Sequence, residues 1–224
     1  MTSETYFVRT PWDARAFGFE TYELVDVSDA ALAAVEQVRG HFTARIDPLA
    51  SKELLHRHGF YYCDTLIEPH CRADQFRDHV RAAIGLSRHV PFEKVRSFTD
   101  NAFLNGRFHR DFHIDPRLAD ARYGSWLEEL CEAKRCMGLL HDGDLAGFLC
   151  HDWNRIVLHA LQERYRGKGL AKYFWSAACR ELFAQGQEEL QSSISASNMP
   201  VLNLYASLGF RFRNPKDIYH RYNP

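Results

Sequence analysis

Apolar residues along this chain recur at two spacings, and the change from one to the other marks out its elements. "FETYELVDV" (19–27) alternates and reads as a strand, and "AALAAVEQVRG" (30–40) places its apolar residues three and four apart, a helix ended by Gly40. "HFTARID" (41–47) is again strand-like, "SKELLHRHG" (51–59) is a short helix from Ser51 stopped by Gly59, and "FYYCDTLIE" (60–68) is rich in β-formers. "DQFRDHVRAAIG" (74–85) has helical spacing and leads into "LSRHVP" (86–91), the expected boundary between an N-terminal domain, 1–90, and a C-terminal one, 91–224.

Beyond that boundary the chain is polar and aromatic until Pro116, after which "ADARYGSWLEELCEA" (119–133) resumes helical spacing. "CMGLLHDGDLAGFLCHDW" (136–153) is two apolar runs joined by Asp142-Gly143-Asp144, a hairpin signature, and "NRIVLHAL" (154–161) is the next strand. A helix is expected from Gly169 to about Ala184, with an apolar stripe through Leu170, Tyr173 or Phe174, Ala177 or Ala178, and Leu182. "ELQSSISAS" (189–197) reads as a strand, "MPVLNLYASLG" (199–209) as a helix with Pro200 in its first turn, and "FRFRNPKDIYHRY" (210–222) as a closing hairpin. The pattern is α/β. A weak internal echo joins "TARIDPLASKELLHRHGFYY" to "SSISASNMPVLNLYASLGFRF", with Gly59-Phe60 matching Gly209-Phe210.

Composition narrows the function classes. The 224 residues carry 28 Lys plus Arg against 29 Asp plus Glu, and this near balance argues against a nucleic-acid partner. No apolar run approaches the roughly 20 residues that cross a bilayer, and the first twenty residues lack a secretory pattern, so a cytoplasmic protein with no membrane partner is expected. Six scattered cysteines read as buried free thiols, and His56 and His58 point to different helix faces, so no metal is expected.

The densest chemistry lies in "QERYRGKGLAKYFW" (162–175), between the strand 154–161 and its helix. Gly167 and Gly169 remove side chains where Arg164, Arg166 and Lys168 add charge, and the first N–H groups of a helix carry no internal partner. An anion held by backbone amides and a solvated basic turn are both consistent with this spacing.

"RYRGKG" (Arg164, Gly167, Gly169) resembles the Arg/Gln-x-x-Gly-x-Gly/Ala motif of the GCN5-related N-acetyltransferases (GNAT), and "NMPVLNLYASLGF", with Asn198 and Tyr205, is similar to that family's second landmark. The resemblance implies the GNAT fold over roughly 135–224. It also implies acetyl-coenzyme A as co-substrate, its diphosphate on Arg164, Arg166, Gly167, Lys168, Gly169, Leu170 and Ala171, and its pantetheine arm along the strand that ends at Leu161. Over most of the chain, "TPWDARAFGFETYEL" and "GRFHRDFHIDP…ARYGSWLE" resemble the TDP-fucosamine acetyltransferases. Those enzymes carry a partial GNAT-like N-terminal domain and acetylate the 4-amino group of a nucleotide-linked dideoxy sugar. Homodimerisation is a further implication.

Acetyl transfer needs a free amine, a polarised carbonyl and a proton for the departing thiolate. In the family Tyr205 stands where a tyrosine serves the thiolate, and its other reading is helix packing. His159 is read as a general base or as a core histidine, and Glu68 as a base or as a surface carboxylate; ordered water is the third option. Asn198 caps its helix, touches the cofactor, or does both. For the acceptor, Arg107 and His109, with Arg110, suit a diphosphate, and Tyr123 and Trp126 suit a stacked base or the helix core. A peptide or metabolite amine, and a non-catalytic acyl-coenzyme A-binding module, stand as alternatives.

Overall fold

The computed structural model describes residues 6–224, so the first five residues of the N-terminal stretch lie outside it. In chain order the elements are β1 (Phe7–Arg9), α1 (Pro11–Phe17), β2 (Thr21–Leu24), α2 (Asp29–Val35), β3 (Gly40–Ile46), α3 (Glu53–Arg57), β4 (Tyr61–Arg72), β5 (Ile84–Ser87), α4 (Phe92–Val95) and α5 (Pro116–Glu132). There follow β6 (Cys136–His141), β7 (Asp144–Asp152), β8 (Arg155–Leu161), α6 (Ala171–Ala184), β9 (Glu189–Ser192), β10 (Ile194–Ser195), α7 (Met199–Ser207) and β11 (Arg211–Asn223). The fold is the mixed α/β arrangement the residue pattern and the resemblance led us to expect.

The chain forms two compact units. The first gathers Met1–Leu66, Leu104–Arg122 and Pro215–Pro224, and the second holds Ile67–Phe103 and Tyr123–Asn214. In the first unit β2 runs parallel to β3, and the end of β11 pairs antiparallel with β3 from Asp217↔Ile46 to Asn223↔Gly40. Its apolar core includes Phe7, Tyr22, Leu32, Phe42 and Leu55, with Tyr22 stacked on Phe42 at 4.8 Å. Ser28 caps α2 by accepting the Ala31 N–H.

This unit also buries a polar group. Asp111 is 2 % exposed, and its Oδ2 accepts from His41 Nε2 at 2.8 Å and His220 Nδ1 at 2.6 Å. Its Oδ1 accepts the Tyr61 hydroxyl and the His113 N–H, each at 2.9 Å. Burial works against the carboxylate, yet the bonds from His220 and His41 hold its pKa well below the usual range. His41, Asp111 and His220 are the one His/Cys/Asp/Glu cluster of metal-ligand spacing among the described residues. Four donors on the carboxylate make it a hydrogen-bonded knot.

In the second unit the β6–β7 hairpin turns on Asp142 and Gly143, both at positive φ, and β8 pairs antiparallel with β7 as far as Leu161. β9 pairs antiparallel with β4, and β5 with β6. Side chains on one face, among them Leu149, Ile156 and Leu161, pack with Phe174 and Leu182 of α6 and with Tyr205 of α7. Those on the other, Phe148, Leu158 and Ala160, pack with Leu127 and Leu130 of α5. From Leu158 to Leu161 the alternation of β8 divides these two cores, and the register shift against β7 between Cys150 and His151 sets Ile156 on the face opposite Leu158.

Three expectations about elements fail. Residues 74–85 are not a helix: a short 3₁₀ turn (Ala73–Gln75) leads into irregular chain and then into β5. There the Arg77 N–H donates to Leu208 O and the His79 N–H to Ser176 Oγ, each at 2.9 Å, so neighbouring helices take amides that a helix would satisfy internally. Phe76 packs on Phe183, whereas Val80, which a helical stripe would bury, is 74 % exposed. The closing hairpin is one strand, β11, because Asn214 absorbs the Asn-Pro signal with a single left-handed residue and the chain runs on into its ladder with β3. The strand expected over 189–197 is split into β9 and β10, the second pairing with β4.

Candidate active site

The break between β9 and β10 shapes the site. β8 and β9 are parallel neighbours only at Arg155↔Gln191 and Ile156↔Ser192, while β8 continues five residues further against β7. Past Ile156 the two strands part, and the β9 side of β8 from Val157 to Leu161 lies beyond their ladder. A parted pair of strands offers backbone donors and acceptors to an extended ligand.

At the end of β8 the chain makes the glycine turn. Gly167 has φ +70° and Gly169 φ +68°, where side chains with a Cβ are strained, and a Cβ built on either would meet nothing within 4 Å. The turn is therefore open on the side the missing side chains would fill. Leu170 stands at the N-cap of α6 with no side-chain cap, so the first amides of this 14-residue helix face outward at the positive end of its dipole. Arg166 Nε donates to Leu161 O at 2.7 Å and braces the turn against the strand. Arg164 Nε donates to Gln162 Oε1 at 2.9 Å, and its guanidinium lies over the Tyr165 ring. Arg164, Arg166, Lys168 and both glycines are exposed, whereas Leu170 is buried behind them and Ala171 half-buried. Gln162, Glu163, Arg164 and Arg166 line a cleft of about 850 Å³ with Ser97, Phe98, Asp100 and Asn101.

Tyr205, on α7, is fully buried and lies edge-on to Phe210. Its hydroxyl is 3.4 Å from His159 Nε2, on the face of β8 that points toward α6 and α7. Burial raises the phenol pKa well above its usual value, and side-chain hydrogen bonding by Ser192 and Trp175 opposes the rise. Burial also lowers the His159 imidazole to about 4, so the ring is neutral at pH 7. The Trp175 ring stands edge-on to His159 at 4.8 Å. Ser192 Oγ donates to Ile156 O at 2.8 Å, at the last rung before β8 and β9 separate. The structure thus brings Tyr205 and His159 together at the opening of the strands.

Other sequence-chosen residues lie elsewhere. Glu68, on β4, accepts from Arg213 Nε at 2.5 Å, and Arg213 Nη2 donates to Glu189 Oε1 at 2.7 Å, so this carboxylate is engaged in an ion-pair network. Asn198 accepts the Val201 N–H at 3.3 Å and caps α7, with Pro200 in the first turn. Arg107 and His109 belong to the first unit: the guanidinium lies over the Phe108 ring, and His109 Nε2 is 3.0 Å from Asp120 Oδ1. Tyr123 and Trp126 belong to the second, where Tyr123 stacks on Phe103 and both pack partly buried against the α5 core. Trp175 and Ser192 were not singled out from sequence. Trp175 is hidden in the apolar run of α6, and Ser192 in a strand with no turn signal.

Residues 104–210 match the family model described as the Acetyltransferase (GNAT) family. No curated protein matches the chain. Among solved structures, a GCN5-related N-acetyltransferase from Sphaerobacter thermophilus is 12 % identical, covers 96 % of this chain and 75 % of its own, and superimposes with a TM-score of 0.65. A GCN5-related N-acetyltransferase from Kribbella flavida is 10 % identical over 92 % of this chain and 82 % of its own, with a TM-score of 0.58. The GCN5-related glucosamine N-acetyltransferase region of a fungal multi-domain GH3 β-N-acetylglucosaminidase is 12 % identical, covers 96 % of this chain and 30 % of that one, and has a TM-score of 0.61. At these identities the likeness is one of fold: the chain has the fold of GNAT acetyltransferases, and residues 104–210 match their domain.

Proposed function

We propose that the protein is an N-acetyltransferase that moves the acetyl group of acetyl-coenzyme A, its co-substrate, to a primary amine. The observation that carries this reading is the pairing of an open, uncapped glycine turn with a buried phenol at the mouth of parted strands. The amides around 166–170 suit a diphosphate, the free side of β8 suits an amide-bearing arm, and Tyr205 is the proton-bearing group next along that line. Binding alone would need no such group at the sulfur.

The chemistry follows from the side chains. The amine nitrogen attacks the thioester carbon, the new C–N bond forms and the C–S bond breaks. The departing thiolate takes the Tyr205 hydroxyl proton, and the proton shed by the nitrogen returns to the phenol through solvent. His159, neutral at pH 7 and 3.4 Å from the phenol, can accept or pass that proton. Glu68, tied to Arg213, is poorly free to serve as base.

For the acceptor we favour the 4-amino group of a nucleotide-linked dideoxy sugar. The resemblance of 10–24 and 106–128 to the TDP-fucosamine enzymes supports it, and so does the amino-sugar activity named for the fungal region of similar fold. A homodimer in the cytoplasm completes the proposal; all six cysteines are free thiols. No helix among the described residues is long and apolar enough to cross a membrane. The test is a free-thiol release assay with acetyl-coenzyme A against TDP-amino sugars, polyamines and peptide N-termini. Turnover with the sugars is expected. Turnover only with other amines overturns the acceptor, and none with any amine overturns the enzyme.

A further inference from the structure

Charge of both signs gathers in the cleft beside the glycine turn, and none of it is neutralised there. One wall is the segment 97–101, which precedes α5, and the other is residues 162–166, which follow β8. Phe98 and Thr99 are buried, and Thr99 donates to Arg96 O through both its N–H and its hydroxyl. So anchored, the segment presents Ser97, Asp100 and Asn101 at the surface, with Asn101 at φ +54°. A left-handed residue other than glycine is uncommon and marks backbone that its surroundings hold in place. Opposite stand Glu163, Arg164 and Arg166, so two carboxylates and two guanidiniums line one space of about 850 Å³. Among the described residues none of these four forms an ion pair. Arg164 and Arg166 hydrogen-bond only through Nε, to Gln162 Oε1 and Leu161 O, and their Nη groups stay unspent. Gly167, Gly169, Leu170 and Ala171, whose amides suit the carrier's diphosphate, are not part of the cleft wall.

We propose that this cleft seats a nucleotide-linked sugar, with Arg164 and Arg166 on its diphosphate and Asp100, Glu163 and Asn101 on its hydroxyls. The inference rests on the acceptor reading above and gives that acceptor a place within the second unit. A guanidinium presents paired N–H donors to phosphate oxygens, and a carboxylate accepts from neighbouring hydroxyls. A ligand with both kinds of group uses both signs of charge, whereas a polyamine meets two arginines. The volume falls in the range of small-ligand sites, roughly 300–1,000 Å³. Because Gln162 and Glu163 directly follow Leu161, the cleft begins where β8 ends. The turn then serves two anions with different groups, backbone amides for the carrier and guanidiniums for the acceptor.

The experiment is a calorimetric titration of TDP-glucose, which has the diphosphate and hydroxyls but no amine, with and without saturating coenzyme A. Binding is expected in both cases, with affinities within threefold of each other. Exclusion of TDP-glucose by coenzyme A gives the cleft to the carrier and overturns the inference, as does no binding of TDP-glucose at all. Two variants locate the site. Arg164→Gln removes the guanidinium but keeps a residue that the glycine-turn motif admits. It is expected to weaken TDP-glucose about tenfold and coenzyme A less than twofold. Asn101→Gly keeps the left-handed backbone, so the fold is retained, and is expected to weaken TDP-glucose about threefold. Unchanged TDP-glucose affinity in either variant overturns the placement. Should TDP-glucose bind the unaltered protein and coenzyme A not bind it, the cleft is upheld and the acetyltransferase reading falls instead.

Discussion

Each unit of this protein buries a group of polar side chains containing histidine and tyrosine, and the two groups are built to opposite ends. In the first unit a single carboxylate, Asp111, collects four donors from His41, Tyr61, His113 and His220, at 2.6 to 2.9 Å. In the second, Tyr205 and Trp175 both meet His159 with no charge among them, the phenol at 3.4 Å and the indole ring edge-on, and the indole N–H has no acceptor. A charged acceptor that gathers several donors ties chain segments together and resists change. A group left short of partners, beside strands that have parted, keeps capacity for a ligand or a moving proton. The comparison teaches that a buried carboxylate gathering several donors makes a structural knot even with His220 Nε2 left unpartnered, whereas neutral groups short of partners beside parted strands leave room for a ligand.

The sharpest way to break the comparison is Asp111→Ala, which strands the Tyr61 and histidine donors in the interior. It should cost about 3–5 kcal/mol of stability, read by urea denaturation with hydrogen exchange across the first unit. Only a small loss would show that the knot ties nothing. Acid should act on the same knot. Burial lowers His220 to about 3, so between that value and the unfolded pKa of 6.5 the unfolded chain binds a proton that the folded ring refuses. Stability is therefore full above about pH 6.5 and drains as pH falls toward 3, and His220→Gln should flatten that slope in a pH series of urea midpoints.

In the second unit the expected losses are kinetic. Tyr205→Phe should lower kcat about a hundredfold while leaving KM for acetyl-coenzyme A within twofold and stability within ~1 kcal/mol, as measured by steady-state thiol release and thermal melting. Gly169→Ala forces a Cβ into a left-handed backbone, a strain of about 1–2 kcal/mol. Its space is open, so the cost should appear as a several-fold weaker acetyl-coenzyme A affinity by calorimetry, with kcat little changed. Smallest of all, Glu68→Gln should change kcat less than threefold, because its carboxylate is occupied by Arg213. A pH-dependent collapse of kcat in that variant would return Glu68 to the list of bases.

How much of this was legible in the residue order depends on how far apart the deciding residues lie. β8, the turn through Gly167 and Gly169, α6, and α7 with its Asn198 cap and Pro200 were readable, because each is set by preferences acting within about four residues. The same locality misled at 74–85, where amides found partners on α6 and α7 instead of in their own turn, and at Asn214-Pro215, where a ladder with β3 outweighed a turn signal.

By itself, then, the sequence determined the open glycine turn and the helix behind it, because glycine's left-handed freedom and uncapped amides are local properties of a few consecutive residues. Only the tertiary structure decided which polar groups meet. His159 and Tyr205 are 46 positions apart, His41 and Asp111 are 70, and Asp111 and His220 are 109. Such pairings are fixed by strand register and core packing, which no spacing along the chain encodes.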